Sequence, residues 1–211
     1  MHINCPSCGA PLALSYRAAK SVVCSYCGQT SFVSPHGLEA YGSAKVLLAD
    51  YGSLFALHQR GTIKKSLPFE IVGRLRFSYY EGFWDEWLVL LNYEEEAWLQ
   101  EDEGEVTLFR KIPAQGEMPH FSSVRVGQTI TLSLQLPDES RFHKNNIFVV
   151  EKHKATIQGG EGELPFLVVP GEQADYIDGI CSGALVSIDY TVEGTSVSWG
   201  LPLAIRDIQF T

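Results

Sequence analysis

Four cysteines near the N-terminus are the residues whose spacing most clearly indicates chemistry. They form two Cys-x-x-Cys pairs, with fifteen residues between the pairs and a glycine after each. Thiolates in two such pairs can converge on one tetrahedral metal ion, and a closed set of four is typical of structural zinc. The pattern predicts a zinc ribbon with one structural Zn²⁺, the alternatives being disulfides, a redox dithiol or an iron–sulfur centre. The expected ligands are Cys5, Cys8, Cys24 and Cys27.

A second element that could do chemistry is the string Trp84-Asp85-Glu86-Trp87. Because neighbouring side chains of a strand point to opposite faces, Asp85 and Glu86 cannot act as an acid–base pair without a bulge. One interpretation places both tryptophans in the core, with the carboxylates capping turns or pairing with Arg74 and Arg76. The alternative is a ligand-binding groove edged by the aromatic rings and carboxylates of this string.

Two further groups of carboxylates could bind a cation or a basic protein segment. Glu161 and Glu163 flank Gly162 and would share one face of a strand. The run Glu94–Glu105 holds seven carboxylates in twelve positions around Trp98. Solvated turns and loops are the commoner role of such charges. The functional alternative is a groove or docking surface that includes these acidic groups.

The elements that must position these residues are short strands. From Leu67 onward, β-branched and aromatic residues recur in short segments, and glycines and prolines separate nearly all of them. This pattern is typical of an all-β sandwich or small barrel. The sequence therefore predicts a mainly β protein, with a zinc ribbon over residues 1–36, a connector over 37–60 and an all-β body over 61–211.

The body could consist of two related tandem β modules, over residues 61–115 and 125–211. The basis is a weak internal echo, in which Phe77 precedes a Glu-Gly dipeptide by four residues and Ile157 does the same. Trp98 and Tyr176 follow the two dipeptides at similar distances. Coincidence in a glycine-rich β protein explains the echo equally well.

The charge distribution argues against nucleic acid as the main partner. The chain carries 16 Lys+Arg and 25 Asp+Glu, a net charge of -9. Residues 1–36 hold Arg17 and Lys20 and no acid, so the remaining 14 basic and 25 acidic residues give the rest of the chain -11. Such a body repels a polyphosphate backbone. Nucleic-acid binding through the ribbon, with Tyr16 and Tyr26 stacking on bases, stays as an alternative.

The sequence also predicts a cytoplasmic protein. Its first residues have neither the basic nor the apolar region of a signal peptide. No stretch approaches the roughly 18 to 20 consecutive apolar residues that cross a bilayer as a helix. Reduced cysteines available to a metal fit the same compartment.

Four strings in the body carry a resemblance: Val72-Gly73-Arg74, Trp84-Asp85-Glu86-Trp87, Ala97-Trp98-Leu99 and Glu161-Gly162-Glu163-Leu164-Pro165. Together they resemble the bacterial family called domain of unknown function 4178, some members of which carry a similar zinc ribbon in front. The family has no assigned activity, so the resemblance implies no catalytic residues. Its members tend to be encoded near polyamine-synthesis-like and phage-shock-type membrane-remodelling proteins. The resemblance therefore implies an accessory role in bacterial envelope stress or in a polyamine-linked system.

These observations predict a zinc-binding accessory or adaptor protein that contacts a protein partner, with membrane association only through that partner. An enzyme is one alternative, with Glu81, Asp85, Glu86, Glu161 or Glu163 acting in a cleft between β modules. It would need carboxylates about 5–10 Å apart, as in two-carboxylate hydrolases. A binding protein for a small molecule or polycation is the other alternative, and it would use carboxylates of the body.

Overall fold

The computed structural model describes residues 2–80, 82–192 and 194–211 of the chain. The fold is mainly β, as predicted, with a small cysteine-rich unit followed by a large antiparallel sheet. The helical elements of the described ranges are two short 3₁₀ turns, Phe121–Ser123 and Ile205–Asp207. No helix in these ranges is long and apolar enough to cross a membrane.

The N-terminal unit, called the ribbon below, contains β1 (His2–Asn4), β2 (Pro11–Ala13), β3 (Ser21–Val23), β4 (Gln29–Ser34) and β5 (Gly37–Lys45). β1 pairs with β2 in a two-stranded sheet, while β3, β4 and β5 pair in that order at one end of the large sheet. β5 therefore continues the ribbon through residues 37–45, the first part of the predicted connector. β3 also pairs with a strand of the body, so ribbon and body share one sheet.

Two four-stranded meanders form most of the body. β6 (Arg60–Ile63) precedes the first, which contains β7 (Leu67–Ser78), β8 (Phe83–Leu91), β9 (Glu95–Asp102) and β10 (Glu105–Ile112). β11 (Ala114–Gln115) and β12 (Thr129–Leu134) lead to the second, which contains β13 (His143–Leu164), β14 (Gln173–Cys181), β15 (Ala184–Thr191) and β16 (Gly194–Leu203). β17 (Ile208–Phe210) then pairs with β6.

The two meanders close into a ring of eight antiparallel strands. Their last strands pair, β10 with β16, and so do their first strands, β7 with β13. The order around the ring is β7-β8-β9-β10-β16-β15-β14-β13, and β13 returns to β7. This closure corresponds to the barrel alternative of the predicted fold.

The internal echo in the sequence does not mark equivalent positions of the two meanders. Gly82 lies between β7 and β8, whereas Gly162 lies within β13. Trp98 belongs to the third strand of its meander, and Tyr176 belongs to the second strand of the other. Glu81, which is part of the echo, lies outside the described residues.

β13 is long because it pairs with four other strands along its length. Its 22 residues pair first with β12, then with β14, then with β7 and finally with β3 of the ribbon. Register shifts between Val149 and Glu151 and between Ile157 and Gly159 mark irregularities of the kind that bend a strand. One strand therefore connects the ribbon, both meanders and β12.

Three apolar clusters stabilise the body, and two of them lie outside the ring. The outer face of the first meander, which includes Trp87, packs under Phe55 and the β6–β17 pair. The outer face of the second meander packs against β12. The third cluster lies inside the ring, where Leu75, Leu88 and Tyr16 of the ribbon belong to one group of buried residues. The interior is thus filled by apolar side chains only in part.

Candidate functional site

The four cysteines lie on two turns with the same hydrogen-bond pattern. In the first turn, the Gly9 N–H donates to the Cys5 carbonyl at 2.9 Å, and the Cys5 N–H donates to the Ala10 carbonyl at 2.8 Å. In the second turn, the Gly28 N–H donates to the Cys24 carbonyl at 2.7 Å, and the Cys24 N–H donates to the Gln29 carbonyl at 3.0 Å. Both glycines have a positive φ, 78° and 70°, which a residue without Cβ adopts at no steric cost.

The turns bring all four Sγ atoms within 4.8 Å of one another. Cys5 Sγ lies 3.8 Å from Cys27 Sγ, and Cys8 Sγ lies 3.8 Å from Cys24 Sγ. A tetrahedron with metal–sulfur bonds of about 2.3 Å has sulfur–sulfur edges of about 3.8 Å. All four side chains are free thiols, not disulfides. The predicted ligand set therefore fits a closed, four-coordinate metal site.

The electrostatics of the cluster also favour a bound cation. Burial acts to raise the pKa of Cys5, but the backbone N–H groups of Cys8 and Ser7 outweigh it and lower that pKa to about 7. Burial raises the pKa of Cys24 to about 12. One thiolate thus forms readily without a metal, whereas four adjacent thiolates need a cation to neutralise their repulsion.

Glu163, one of the predicted binding carboxylates, fastens the ribbon to the ring. Its Oε1 accepts a hydrogen bond from the Ser15 N–H at 2.8 Å, and its Oε2 accepts one from the Tyr16 N–H at 2.9 Å. The residue is 1% exposed. Burial raises the pKa of Glu163 although both N–H groups lower it. The Tyr16 hydroxyl donates to Glu96, which adds a second polar contact between ribbon and ring.

Asp85 lies at the centre of a buried ion network on the outer face of the ring. Its carboxylate accepts hydrogen bonds from Arg76 Nε at 2.8 Å, from Arg76 Nη2 at 2.7 Å and from Arg74 Nη2 at 2.7 Å. Arg74 Nη1 also contacts Glu161 at 3.3 Å, and its guanidinium lies 4.7 Å from the Trp87 ring centroid. Asp85 thus pairs with both arginines, which is one of the two roles expected for the carboxylates of this string. Two cations and two anions balance in this network.

Trp84 and Glu86 face the interior of the ring, opposite to Asp85. Trp84 stacks on Phe77 with ring centroids 5.1 Å apart, and it contacts Tyr176 of β14 with centroids 5.4 Å apart. Trp84 Nε1 donates to Glu86 Oε1 at 3.0 Å. Asp85 and Glu86 therefore point to opposite faces, as strand alternation predicts, and they do not form an acid–base pair.

Trp87 and Trp98 pack in two different places. Trp87 belongs to the outer cluster of the first meander, and its Nε1 donates to Glu101 at 3.3 Å. Trp98 is half-buried against the interior cluster and stacks on Phe166 with centroids 6.3 Å apart. The predicted binding residues are thus divided between the outer face and the interior of the ring. Glu81 of the enzyme hypothesis lies outside the described residues.

A cleft of about 530 Å³ opens between the ribbon and the ring. Of the predicted binding residues, Trp87, Glu161 and Glu163 line it. The ribbon contributes residues that include Leu12, Val22 and Tyr26, the segment before β6 contributes Leu48, Asp50, Leu57 and His58, and β7 contributes Arg74. The cleft therefore depends on the position of the ribbon against the ring.

Five carboxylates line the interior of the ring and are called the inner acidic band below. They are Glu86 on β8, Asp102 on β9, Glu151 on β13, Asp178 on β14 and Asp189 on β15. Strand register places Glu151 opposite Asp178 and Tyr176 opposite Asp189. Because Tyr176 and Asp178 are two positions apart on β14, Glu151, Asp178 and Asp189 lie on one face of the sheet. Sequence reasoning singled out Glu86 and placed Asp102 in a solvated run, and it missed the other three. Asp178 and Asp189 directly follow Ile177 and Ile188, which are buried outside the ring. This alternation is the signal that could have identified the two aspartates.

Carboxylates of the inner acidic band repel one another across the interior of the ring. Burial raises the pKa of Glu86 to about 8, with further contributions from the charges of Asp189 and Asp178. Burial also raises the pKa of Asp178 to about 7 and that of Asp189 to about 6. Because β8 stands opposite β15 in the ring, these charges approach one another through its interior.

Comparison with known proteins places the ring, but not the ribbon, in a family. No curated protein and no solved structure matches the chain. A family model described as Domain of unknown function (DUF4178) matches residues 64–203. The match extends from β7 to β16 and so includes both meanders and the whole ring. The chain therefore belongs to the DUF4178 family.

Proposed function

We propose that this chain is a non-catalytic accessory protein in which one structural Zn²⁺ fixes the ribbon and a cleft beside it binds a partner protein. The observation that carries this proposal is the cleft between ribbon and ring, which neither unit would form alone. Its lining includes Trp87 and the ion pair of Arg74 with Glu161, which belong to the first meander and to β13. A zinc-dependent binding surface is the role that this arrangement supports best.

Zinc is the metal that the four sulfur donors favour. Soft thiolates in a closed tetrahedral set suit zinc or iron and disfavour hard cations such as Mg²⁺ and Ca²⁺. With all four Sγ atoms within 4.8 Å of one another, the set has no room for a multi-iron cluster. The ion would hold the two turns together and leave no coordination position for a substrate. Metal analysis of the purified chain is expected to give one zinc per chain.

The cleft suits a protein segment that carries basic and apolar side chains. Asp50 supplies negative charge to its lining, while Leu48 and Leu57 supply apolar surface. Tyr26, which is 65% exposed, adds an aromatic ring on the ribbon side. The net charge of -9 also favours encounter with a basic partner.

The cellular setting is proposed from chemistry and from the family resemblance. Reduced cysteines that hold a metal fit the cytoplasm. The association of family members with polyamine-synthesis-like and membrane-remodelling proteins supports an accessory role in bacterial envelope stress or a polyamine-linked system. Contact with the membrane would then be indirect, through the partner.

The test is affinity purification of the tagged full chain from its native cell at physiological salt, with separate soluble and membrane fractions and mass spectrometry of co-eluting proteins. We expect a defined partner that is lost in the Cys8→Ser, Cys27→Ser double variant. We also expect its loss in Tyr26→Ala, which removes an exposed ring from the cleft but keeps all four cysteines and the Tyr26 N–H that bonds to Cys24, so this variant should still hold one zinc.

The matched control is Tyr80→Ala, because Tyr80 is fully exposed and does not line the cleft. This variant should keep the partner. A partner that persists in Cys8→Ser, Cys27→Ser would mean that the ring alone carries recognition, against the proposal. The absence of any defined partner in both fractions would contradict the adaptor role itself.

A further inference from the structure

The interior of the ring has an apolar part and an acidic part, joined by two aromatic residues. Trp84 packs in the interior apolar cluster, and its Nε1 donates to Glu86 at 3.0 Å. Tyr176 packs against the same cluster, and its hydroxyl donates to Glu151 at 2.6 Å. Aromatic rings therefore lie beside the inner acidic band on both meanders.

The negative charge of the band has little compensation among the described residues. Lys111 is the cation that acts on Asp189, and its side chain is exposed. His153, two positions after Glu151 on the same face of β13, is exposed as well. Asp85, by contrast, contacts two buried arginines. Carboxylates taken out of water destabilise a folded protein unless a cation or a proton neutralises them.

Two oxygen atoms of the band have no hydrogen-bond partner. Asp102 Oδ1 and Asp178 Oδ1 are inaccessible to solvent and bond to nothing among the described residues. The Asp178 side chain as a whole is partly exposed, so the enclosed atom is this one oxygen. Unpaired buried polar atoms are rare in folded proteins, and a bound ion, ligand or water usually explains them.

The inner acidic band is not sealed from solvent. Glu86, Asp178 and Asp189 each keep some accessible surface. This surface faces the interior because the strand register directs all three side chains there. The interior of an eight-stranded barrel is just wide enough for side chains or one small ligand.

We propose that the inner acidic band binds a slender organic cation with two or more ammonium groups, such as a linear diamine or polyamine. A single metal ion does not suit the band. Among the described residues, only the four cysteines bring three or more ligand atoms within 4.8 Å of one another. Carboxylates on five strands are better matched by several separated positive charges on one chain. Trp84 and Tyr176 would contact the methylene groups and ammonium heads.

This inference is independent of the cleft and of its protein partner, because the band lies inside the ring. The test is isothermal titration calorimetry of the full chain with spermidine and with 1,4-diaminobutane, at physiological salt and slightly alkaline pH. We expect saturable binding of one amine per chain. In the Glu86→Gln, Asp178→Asn double variant, affinity should fall at least about tenfold, since two charged contacts are lost.

The matched control is the Glu94→Gln, Glu117→Gln double variant, which removes the same charge from exposed side chains. It should bind the amine as the parent does. An equal loss in both variants would place the amine on the outer surface and overturn the proposal. Absence of binding in the parent, or equal binding of uncharged 1,4-butanediol, would overturn it as well.

Thermal unfolding of the band variant without amine separates a binding role from a structural one. Removing mutual repulsion should raise the Tm of Glu86→Gln, Asp178→Asn above that of the parent, so that lost binding cannot result from unfolding. A Tm clearly below that of the parent would identify the band as a structural hydrogen-bond network and would overturn the proposal.

Discussion

Asp85 and Glu86 are consecutive residues of β8, and their surroundings are opposite in kind. Asp85 is buried on the outer face, where three N–H groups of two arginines donate to it at 2.7 to 2.8 Å. Glu86 faces the interior, where its hydrogen bond comes from Trp84 and its charged neighbours are Asp189 and Asp178. One carboxylate is fully paired within the fold, whereas the other adds to an unbalanced negative charge.

This contrast separates carboxylates that maintain the fold from carboxylates that are free for a ligand. A buried ion pair contributes little net stability, but the loss of one partner is costly because the other charge stays buried. A carboxylate that lies near other carboxylates behaves in the opposite way, because removing its charge removes their repulsion and stabilises the folded state. Substitutions that remove the charge at Asp85 and at Glu86 should therefore differ in sign.

The largest effect is expected at Asp85. Asp85→Asn would leave Arg74 and Arg76 buried with one anion, Glu161, between them, and only Arg74 contacts that anion. Breaking such a pair typically costs about 3–5 kcal/mol of the free energy of unfolding. Urea denaturation followed by tryptophan fluorescence would measure it. The control is Glu86→Gln, which should not destabilise the protein, and a loss below about 1 kcal/mol in Asp85→Asn would show that the network is not structural.

An intermediate effect is expected at Glu163, whose charge is paired with backbone N–H groups instead of arginines. In Glu163→Gln, the amide oxygen can still accept a hydrogen bond from one of the two N–H groups, of Ser15 or of Tyr16. The remaining N–H group then faces the amide NH₂, which cannot accept a hydrogen bond. Hydrogen bonds to a charged group contribute about 1.5–3 kcal/mol, so a loss of that size is expected. Urea denaturation would measure the loss, and limited proteolysis should show faster cleavage within the ribbon.

Glu161→Gln is the matched control for this prediction, because the two residues are separated by one position of β13. The Glu161 side chain is 19% exposed and contacts Arg74 at 3.3 Å, so its loss should cost about 1 kcal/mol or less. Equal effects of both substitutions would contradict the assignment of Glu163 as the group that fastens the ribbon.

Local features of the sequence were sufficient for the metal site and for the two faces of β8. Cysteine spacing is a short-range pattern, and the two turns around Cys5 and Cys24 form within six residues each. Strand alternation is also local, so the opposite directions of Asp85 and Glu86 followed from their being neighbours in a strand. The nearby arginines on β7 pair with β8 through a short turn, which made the ion network predictable as well.

The closed ring and the inner acidic band depend on contacts that no local pattern encodes. β7 pairs with β13 and β10 pairs with β16 across more than seventy residues of sequence. Asp178 and Asp189 lie on hairpin strands that would expose them to solvent if the sheet stayed open. Glu163 finds its partners at Ser15 and Tyr16, almost 150 positions earlier. Each of these features requires knowledge of which strands meet, and only tertiary structure supplies it.

The remaining prediction is a pH dependence of stability that belongs to the inner acidic band. The raised pKa values of Glu86, about 8, and Asp178, about 7, mean that the folded protein holds protons that the unfolded chain has released. The free energy of unfolding contributed by these groups is therefore present at low pH and is lost as pH rises through their folded pKa values. Urea denaturation between about pH 5.5 and 8.5 should show this decline in the amine-free protein.

The control for the pH dependence is again Glu86→Gln, Asp178→Asn, in which the decline should be smaller. Other groups that face the band are Asp102, Glu151, Asp189, Tyr176 and the exposed Lys111 and His153. They are retained in the variant, as are the four cysteines of the ribbon, so the difference between the two curves isolates the two substituted side chains. Saturating spermidine should flatten the parent's curve in the same way, because a bound cation replaces the proton as the neutralising charge. Parallel curves for parent and variant would mean that Glu86 and Asp178 titrate alike in the folded and unfolded chain, and the contrast between Asp85 and Glu86 would then lose its electrostatic basis.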